Sequence, residues 1–311
     1  MFNNHDLTLI IPAKYESESL PSVLEELKSF NFKKNIILEK TDISTIESIQ
    51  NYDCKIIFQK EKGYGDALIT GIKSVETDLF CIFNADGSFN PAEINKMIKI
   101  INSNTTDLVF GTRYEKNCGS EDDTIITFIG NFIFTNIGKI FFNLTITDIL
   151  YTYVIGKTSK VKNLNLTSKD FQFCIELPIK AQKQGLILAN SKSYERSRIG
   201  GKKKVNAIRD GFKILFDILM LDKTLKSDEV QINFRSRMAG DSKLNISTIF
   251  NMLGQIAENV TRGLLPASFF VFAIVGSVGV VIHLGILSFL LMSFGFIVAN
   301  AISTLMAMTS N

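Results

Sequence analysis

The sequence contains no tryptophan, only five prolines and only four cysteines. Cys54, Cys81, Cys118 and Cys174 are scattered, with no C-x-x-C pair among them. That spacing excludes a thiolate metal framework or a disulfide-stapled scaffold, and it fits a reducing compartment. An excess of one charge is also missing: 34 Lys and Arg face 31 Asp and Glu, for a net charge of +3. A balance of that kind gives no reason to expect a nucleic-acid partner. The most informative absence is local. After Arg262 no charged residue occurs at all, which argues against a wholly soluble chain. The run is not a secretory signal, since a signal would stand at the N-terminus.

What is present before that point has the rhythm of an α/β domain. Short apolar runs at Leu7–Ile11, Lys34–Leu38, Lys55–Phe58, Leu79–Phe83 and Asp107–Phe110 predict strands. Between them, Ser17–Phe30, Ala67–Val75 and Pro91–Ile101 carry helical spacing, the last with proline in its first turn. Strands separated by helices predict a mostly parallel sheet with helices on both faces. Ligands of such sheets lie at the carboxyl ends of the strands. The segments following Ile11, Phe83 and Phe110 are therefore the ones to inspect.

Further on, Thr124–Asn143 predicts a long helix rich in phenylalanine with a single charge, Lys139. Two readings stay open for it, a buried core helix and a helix lying in a membrane interface. Lys169–Gln184, Val205–Leu221 and Ile246–Leu265 are further amphipathic stretches. The tail then offers Ser268–Met292, which as a helix spans roughly 37 Å against a bilayer core of about 30 Å. A shorter apolar run follows from Phe296 to Met308, and His283 within the first run reads as a packed residue. Lys243 and Arg262 precede the span and no basic residue follows it, so the positive-inside rule puts the N-terminal region in the cytoplasm. The domain reading is a catalytic region over 1–222, a basic segment with an amphipathic interface helix over 223–265, and a membrane tail over 266–311. The tail predicts one or two transmembrane helices and offers a surface for homo-oligomer contacts.

Several segments carry chemistry. Phe83-Asn84-Ala85-Asp86-Gly87-Ser88 ends a buried strand with a carboxylate among small residues. Such a group suits a divalent cation, Mg²⁺ or Mn²⁺, that bridges a diphosphate and takes few protein ligands. Asp86 is the best ligand, and Asn84 adds a neutral oxygen. After the first strand, Glu16 either favours the start of the next helix by its charge or contacts a nucleotide. Glu61-Lys62-Gly63-Tyr64-Gly65-Asp66-Ala67 leads into a helix and is no Walker loop, because Gly-Lys-Ser/Thr is missing. Its glycines read equally as a tight turn or as close approach of backbone to a ligand.

Taken in order, Ile11-Pro12-Ala13-Lys14-Tyr15-Glu16, the Gly63 segment, Asn84-Ala85-Asp86-Gly87-Ser88 and Gly111-Thr112-Arg113 resemble the family 2 glycosyltransferases. Within that family the polyprenyl-phosphate sugar transferases, of the dolichyl-phosphate mannose synthase type, are the most similar. The resemblance covers roughly residues 7–222. It implies a GT-A fold, a nucleotide-sugar donor, a divalent metal and a polyprenyl phosphate acceptor. By position it assigns Pro12, Ala13, Glu16, Asp66, Asn84, Ala85 and Asp86 to the donor, and Asp86 with Asn84 to the metal. Arg113, Arg196, Arg198 and Lys204 are assigned to the acceptor phosphate, and Asp148 to an acidic position beside it. Asp86, Arg113, Asp148 and Arg198 form the implied catalytic set. Two positions depart from the pattern. Asn84 stands where an aspartate is usual, and Leu38-Glu39-Lys40-Thr41 stands where Asp-Asp-Gly-Ser is usual, which leaves the base open between uracil and guanine.

One segment occurs twice. Arg196-Ser-Arg-Ile-Gly-Gly-Lys-Lys-Lys-Val-Asn206 returns as Arg235-Ser-Arg-Met-Ala-Gly-Asp-Ser-Lys-Leu-Asn245. The second copy, with the apolar tail behind it, resembles the end of a related enzyme carrying an incomplete GtrA-like membrane domain. A duplication or a fusion of two relatives accounts for it, and the first copy is favoured as the one that closes the site. The leading expectation is inverting, metal-dependent transfer of a hexose from a GDP- or UDP-linked donor to a polyprenyl phosphate at the cytoplasmic membrane face. The alternative from another class is a degenerate or truncated fusion that serves as a membrane scaffold or partner of a lipid-sugar flippase. A nucleotidyltransferase shares the sheet but has no need of a membrane span.

Overall fold

The computed structural model describes residues 1–103, 105–200, 267–291 and 294–309. The chain divides into two compact units, Met1–Lys226 and Ser227–Asn311. In the first unit, β1 (Leu7–Pro12), β2 (Lys33–Leu38), β3 (Lys55–Phe58), β4 (Leu79–Ile82), β5 (Leu108–Thr112), β7 (Val154–Lys157) and β8 (Leu188–Lys192) form one sheet. Its order is β3-β2-β1-β4-β7-β5-β8. Every pairing is parallel except those of β7, which runs antiparallel to both β4 and β5. A two-residue strand β6 (Gly119–Ser120) pairs with β9 (Tyr194–Glu195) beside it.

The strands are apolar on both faces because helices cover both. Successive residues of β1 alternate between the two layers. Leu7, Leu9 and Ile11 join Leu79, Cys81 and Phe83 in one core, and Ile10 joins Phe80 and Ile82 in the other. The first core receives Leu20, Val23 and Leu24 of α1 (Leu20–Glu26) and Ile94, Met97 and Ile98 of α4 (Ile94–Ser103). The second receives Ala67, Leu68 and Ile72 of α3 (Tyr64–Ser74) together with Phe173, Leu177 and Ile179 of α7 (Phe173–Lys183). Short helices α2 (Ile43–Ser48) and α6 (Thr158–Lys162) complete the connections.

Most expected elements are present, with shifted ends. The helix expected from Ser17 starts at Leu20, because Glu16–Ser19 form a turn in which the Ser19 hydroxyl donates to Glu16 Oε2 at 2.8 Å. The first turn of the helix expected from Pro91 is a 3₁₀ turn, capped by the Asn90 side chain. Thr124 and Asn143 bound α5 (Ile125–Phe142) as its caps, Asn143 in the left-handed conformation. A uniformly buried α5 is excluded. Asn131, Thr135 and Phe142 are buried, whereas Ile125, Phe128, Ile129, Phe132, Ile133 and Ile140 are exposed.

In the second unit, α8 (Ala267–Leu290) and α9 (Phe296–Thr309) pack against one another and contain no charged residue. Among the described residues no helix is long and apolar enough to cross a membrane, with part of α8 outside the side chains described. The expected span therefore stands on the sequence. Lys204, the second basic copy at 235–245 and the amphipathic stretches at 205–221 and 246–265 lie outside the described residues.

Candidate active site

The parallel order brings the ends of β1, β2, β3 and β4 to one edge, and the antiparallel β7 brings its start there as well. A cavity of about 680 Å³ opens along this edge. Pro12, Ala13, Lys14, Tyr15 and Glu16 from the end of β1 line it, as do Glu39 after β2, Gln59 after β3, and Asn84, Ala85 and Asp86 after β4. Arg113, Tyr151, Asp170, Glu195 and Arg198 close its other side. Of the residues expected to hold the donor, all but Asp66 line this space.

Asp66 serves the loop instead. Its carboxylate accepts from the Glu61 N–H at 3.0 Å, and its own N–H donates to the Lys169 carbonyl at 3.0 Å. The two glycines before it have the same purpose. A Cβ at Gly65 would stand 2.1 Å from the Ser168 carbonyl oxygen, and one at Gly63, where φ is +118°, would stand 2.1 Å from that of Lys169. Close approach is thus between two backbone segments rather than to a ligand. The 168–171 loop in turn presents Asp170 and Phe171 to the cavity, where the Phe171 ring stacks on Tyr64 at 5.3 Å.

Asp86 sits in a turn built from its own side chain. Its Oδ1 accepts the Ser88 N–H at 3.0 Å, while the Asn84 amide donates to Ser88 Oγ at 3.2 Å. Gly87 between them has φ +83°. The first basic copy lies directly on this turn. The Ile199 N–H donates to the Asp86 carbonyl at 2.7 Å and the Arg196 N–H to the Ser88 carbonyl at 2.9 Å. Arg198 forks onto Asp122 at 2.8 and 3.2 Å, with Asp86 Oδ2 3.7 Å away. Burial opposes the charge of Arg198, yet Asp122, Asp86 and Glu16 together lift its pKa above the ordinary guanidinium value.

Two expected acceptor ligands are placed otherwise. Arg196 forks onto Glu26 at 2.8 and 3.0 Å and donates to the Phe89 carbonyl at 2.6 Å, so it staples the segment to α1 and does not line the cavity. Arg113 lines the cavity but is engaged by two carboxylates. Its Nε and Nη2 donate to Asp148 at 2.8 and 3.0 Å, and its Nη1 donates to Glu195 at 2.9 Å. Asp148 is 1% exposed and stands behind Arg113 rather than at the cavity wall. The Arg113 guanidinium lies over the Tyr151 ring at 4.5 Å. Burial works against this charge, but Asp148 and Glu195 raise it well above the ordinary value.

Glu195, Asp122, Asp42 and Glu93 are partners that the sequence alone did not single out. Asp42 caps α2 and accepts the Tyr15 N–H at 2.6 Å. Buried Glu93 accepts from Ser193 Oγ at 2.6 Å and from the Tyr194 N–H at 3.0 Å. None of them stands in a motif, and the partners that place Glu195, Asp122 and Glu93 are distant in the chain. Cys174 also lines the cavity, where burial pushes its thiol up to about 12.

The charge of the lining bears on a metal. Among the described residues, the cavity is lined by Glu16, Glu39, Asp86, Asp122, Asp123, Asp170 and Glu195 against Lys14, Arg113 and Arg198. Against these described side chains alone a diphosphate would meet net repulsion, which a cation bound with it would offset. Among the described residues no three His, Cys, Asp or Glu side chains gather into a closed metal site. Asp86 with Asn84 is an open donor set, which fits a cation whose remaining positions belong to phosphate oxygens and water.

A family model described as Glycosyl transferase family 2 matches residues 8–164. The chain is 26% identical over 294 residues to a dolichol-phosphate mannosyltransferase of Pyrococcus furiosus, covering 90% of this chain and 71% of the relative. It is 25% identical over 237 residues to a UDP-N-acetylglucosamine–dolichyl-phosphate N-acetylglucosaminyltransferase of Methanococcus voltae, covering 68% and 94%. Glucosyl-3-phosphoglycerate synthase from Mycobacterium tuberculosis, crystallised with Mn²⁺, UDP and glucosyl-3-phosphoglycerate, has a similar fold. The TM-score is 0.56 at 12% identity, over 70% of this chain and 79% of that one. At that identity the likeness concerns the fold, an α/β sheet of the GT-A kind.

Proposed function

Because the chain belongs to glycosyl transferase family 2, we propose that it transfers a hexose from a nucleotide sugar to a polyprenyl phosphate, with inversion, at the cytoplasmic face of a membrane. The observation that carries the lipid acceptor is α5. Asp123 before the helix and Thr127 and Asn131 on it line the cavity, while Phe128, Ile129, Phe132 and Ile133 of the same helix are exposed. One helix thus offers polar groups to the cavity and an apolar surface to a membrane interface beside it. The names of the two relatives, a dolichol-phosphate mannosyltransferase and a dolichyl-phosphate N-acetylglucosaminyltransferase, agree with this reading.

In this mechanism an oxygen of the acceptor phosphate attacks the anomeric carbon as the bond from that carbon to the nucleoside diphosphate breaks. The nucleoside diphosphate leaves with the bonding electron pair, and the configuration inverts. The acceptor is already an anion, so no side chain has to remove a proton. What the protein supplies is position and positive charge between two anions. In this reading Arg198, held by Asp122 beside Asp86, holds a phosphate. Arg113 keeps the wall rigid through Asp148 and Glu195. Pro12, Ala13 and Glu16 hold the nucleotide along β1. A divalent cation on Asp86 and Asn84 would neutralise the departing diphosphate.

Membrane attachment belongs to the same reading. It is supported by the charge-free run at 268–292, roughly 37 Å long as a helix, and its orientation by Lys243 and Arg262 ahead of it. Membranes containing the chain, supplied with labelled nucleotide sugars, polyprenyl phosphate and Mg²⁺ or Mn²⁺, should form labelled lipid. Asp86→Asn, which keeps the Oδ1 acceptor of the Ser88 N–H but loses the charge, should lose the activity with little change in its melting curve. No labelled lipid from any common donor would sink the reading.

A further inference from the structure

The phosphates and the base of a nucleotide cannot share one strand end. Neighbouring strands lie about 4.8 Å apart, and in the order β3-β2-β1-β4 the end of β2 is two strands, about 10 Å, from the Asp86 turn. On the other side of that turn α5 is bonded to the segment before β7, so with the acceptor taken there the base falls toward the ends of β1, β2 and β3, where Lys14, Tyr15, Glu39 and Gln59 line the cavity. Lys14 Nζ donates to Glu39 Oε1 at 3.0 Å. Gln59 gives its amide N–H to the Glu61 carbonyl at 2.5 Å. Tyr15 is 65% exposed and has φ 53°, a conformation held by its N–H bond to Asp42. A non-glycine residue in that region is costly and survives where the surroundings enforce it, often at a binding site.

We propose that Lys14 and Glu39 read the nucleotide base and select guanine over uracil; this deepens, and rests on, the nucleotide-sugar reading. Guanine presents the O6 acceptor beside the N1–H and N2–H donors. A lysine donor beside a glutamate acceptor matches O6 and N1–H, and the second carboxylate oxygen takes the N2 amino group. Uracil has one N–H donor between two carbonyl acceptors. Set on the same pair, its second carbonyl meets a carboxylate oxygen, acceptor against acceptor. The exposed Tyr15 ring can stack on either base, since stacking tolerates base identity. Choice then falls to the polar pair, and polar sites discriminate strongly because a mismatch leaves charged groups unpaired.

Titration calorimetry on the full chain in detergent with Mg²⁺ tests this with GDP, IDP and UDP. GDP should bind at least about tenfold tighter than UDP, with IDP, which lacks the N2 amino group, in between. Glu39→Gln should weaken GDP about tenfold while UDP changes by less than about twofold. Lys14→Met should weaken GDP and IDP alike. UDP binding as tightly as GDP, or Glu39→Gln weakening both equally, overturns the base assignment and leaves the donor reading intact. Binding of no nucleoside diphosphate overturns both.

Discussion

Arg113 donates to Asp148 three times, from Nε at 2.8 Å, from Nη2 at 3.0 Å and from its backbone N–H at 3.1 Å. The pair joins the end of β5 to the segment before β7, and its side chains are only 10% and 0% exposed. A fork of this kind fixes the guanidinium in two dimensions, and burial leaves little water to replace either partner.

Asp148→Asn keeps the shape of the side chain but leaves the Arg113 charge with Glu195 alone. Breaking a buried pair from one side costs about 3–5 kcal/mol, so the variant should melt well below the parent. Transfer should also slow, because the cavity wall moves with Arg113. Circular dichroism melts and initial rates measured on the same preparation check both effects. An unshifted melting curve would show that Asp148 is not the anchor of Arg113.

Gly65→Ala addresses the loop that carries Asp170 and Phe171. The added Cβ would meet two backbone oxygens, Ser168 at 2.1 Å and Asp170 at 2.7 Å, and neither can rotate away. Overpacking of this kind costs about 1–3 kcal/mol. The loop should shift from the cavity, so the donor KM should rise more than kcat falls. Steady-state kinetics with varied donor separate the two.

The exposed row on α5 predicts a membrane effect without a folding effect. Phe132 and Ile133 are 63% and 48% exposed, so Phe132→Asp with Ile133→Asp removes surface that the fold does not use. Withdrawing two such side chains from an apolar interface forfeits about 1.5–3 kcal/mol each. Rates with vesicle-embedded acceptor should fall by tenfold or more on that scale, while a short, water-soluble prenyl phosphate should be used as before. Equal loss with both acceptors would assign α5 to the cavity alone.

Glu176 sets an acid limit on stability. Burial pushes its pKa up, but the Lys180 ammonium and the N–H groups of Ser168 and Thr167 outweigh this and hold it below the ordinary carboxylate value. A folded pKa below the unfolded one adds stability above about pH 4.3, and that stability is lost as pH falls through the folded value. Melting temperatures followed downward from pH 7 should drop through this range in the parent. Glu176→Gln should start lower at pH 7 and drop less.

Much of the fold was legible in the local pattern. The apolar runs of β1 and β4, the helical stretch at 124–143 and the Asn84–Ser88 turn are short-range features, set by residues within a few positions of each other. β7 was missed although Tyr153-Val154-Ile155 has strand character, because an antiparallel strand inserted between β4 and β5 breaks the alternating rhythm of the rest. The resemblance assigns Asp66 to the donor by position, and the glycines before it read equally as a turn or as approach to a ligand. What those glycines approach is the 168–171 loop, about a hundred positions later in the chain.

The sequence alone determined the α/β class, the carboxylate turn at Asp86, the charge-free tail and the family resemblance, all of which rest on periodicity or on neighbouring residues. Only the tertiary structure decided which charges oppose one another. Arg196 meets Glu26 across 170 positions, Arg198 meets Asp122 across 76, and Arg113 meets Glu195 across 82. A basic residue in a sequence carries a charge but no partner, and ionic contact falls to nothing useful in water beyond a few ångströms. Folding therefore sorted one list of basic residues into a staple on α1, a buried wall and a cavity-lining group beside Asp86.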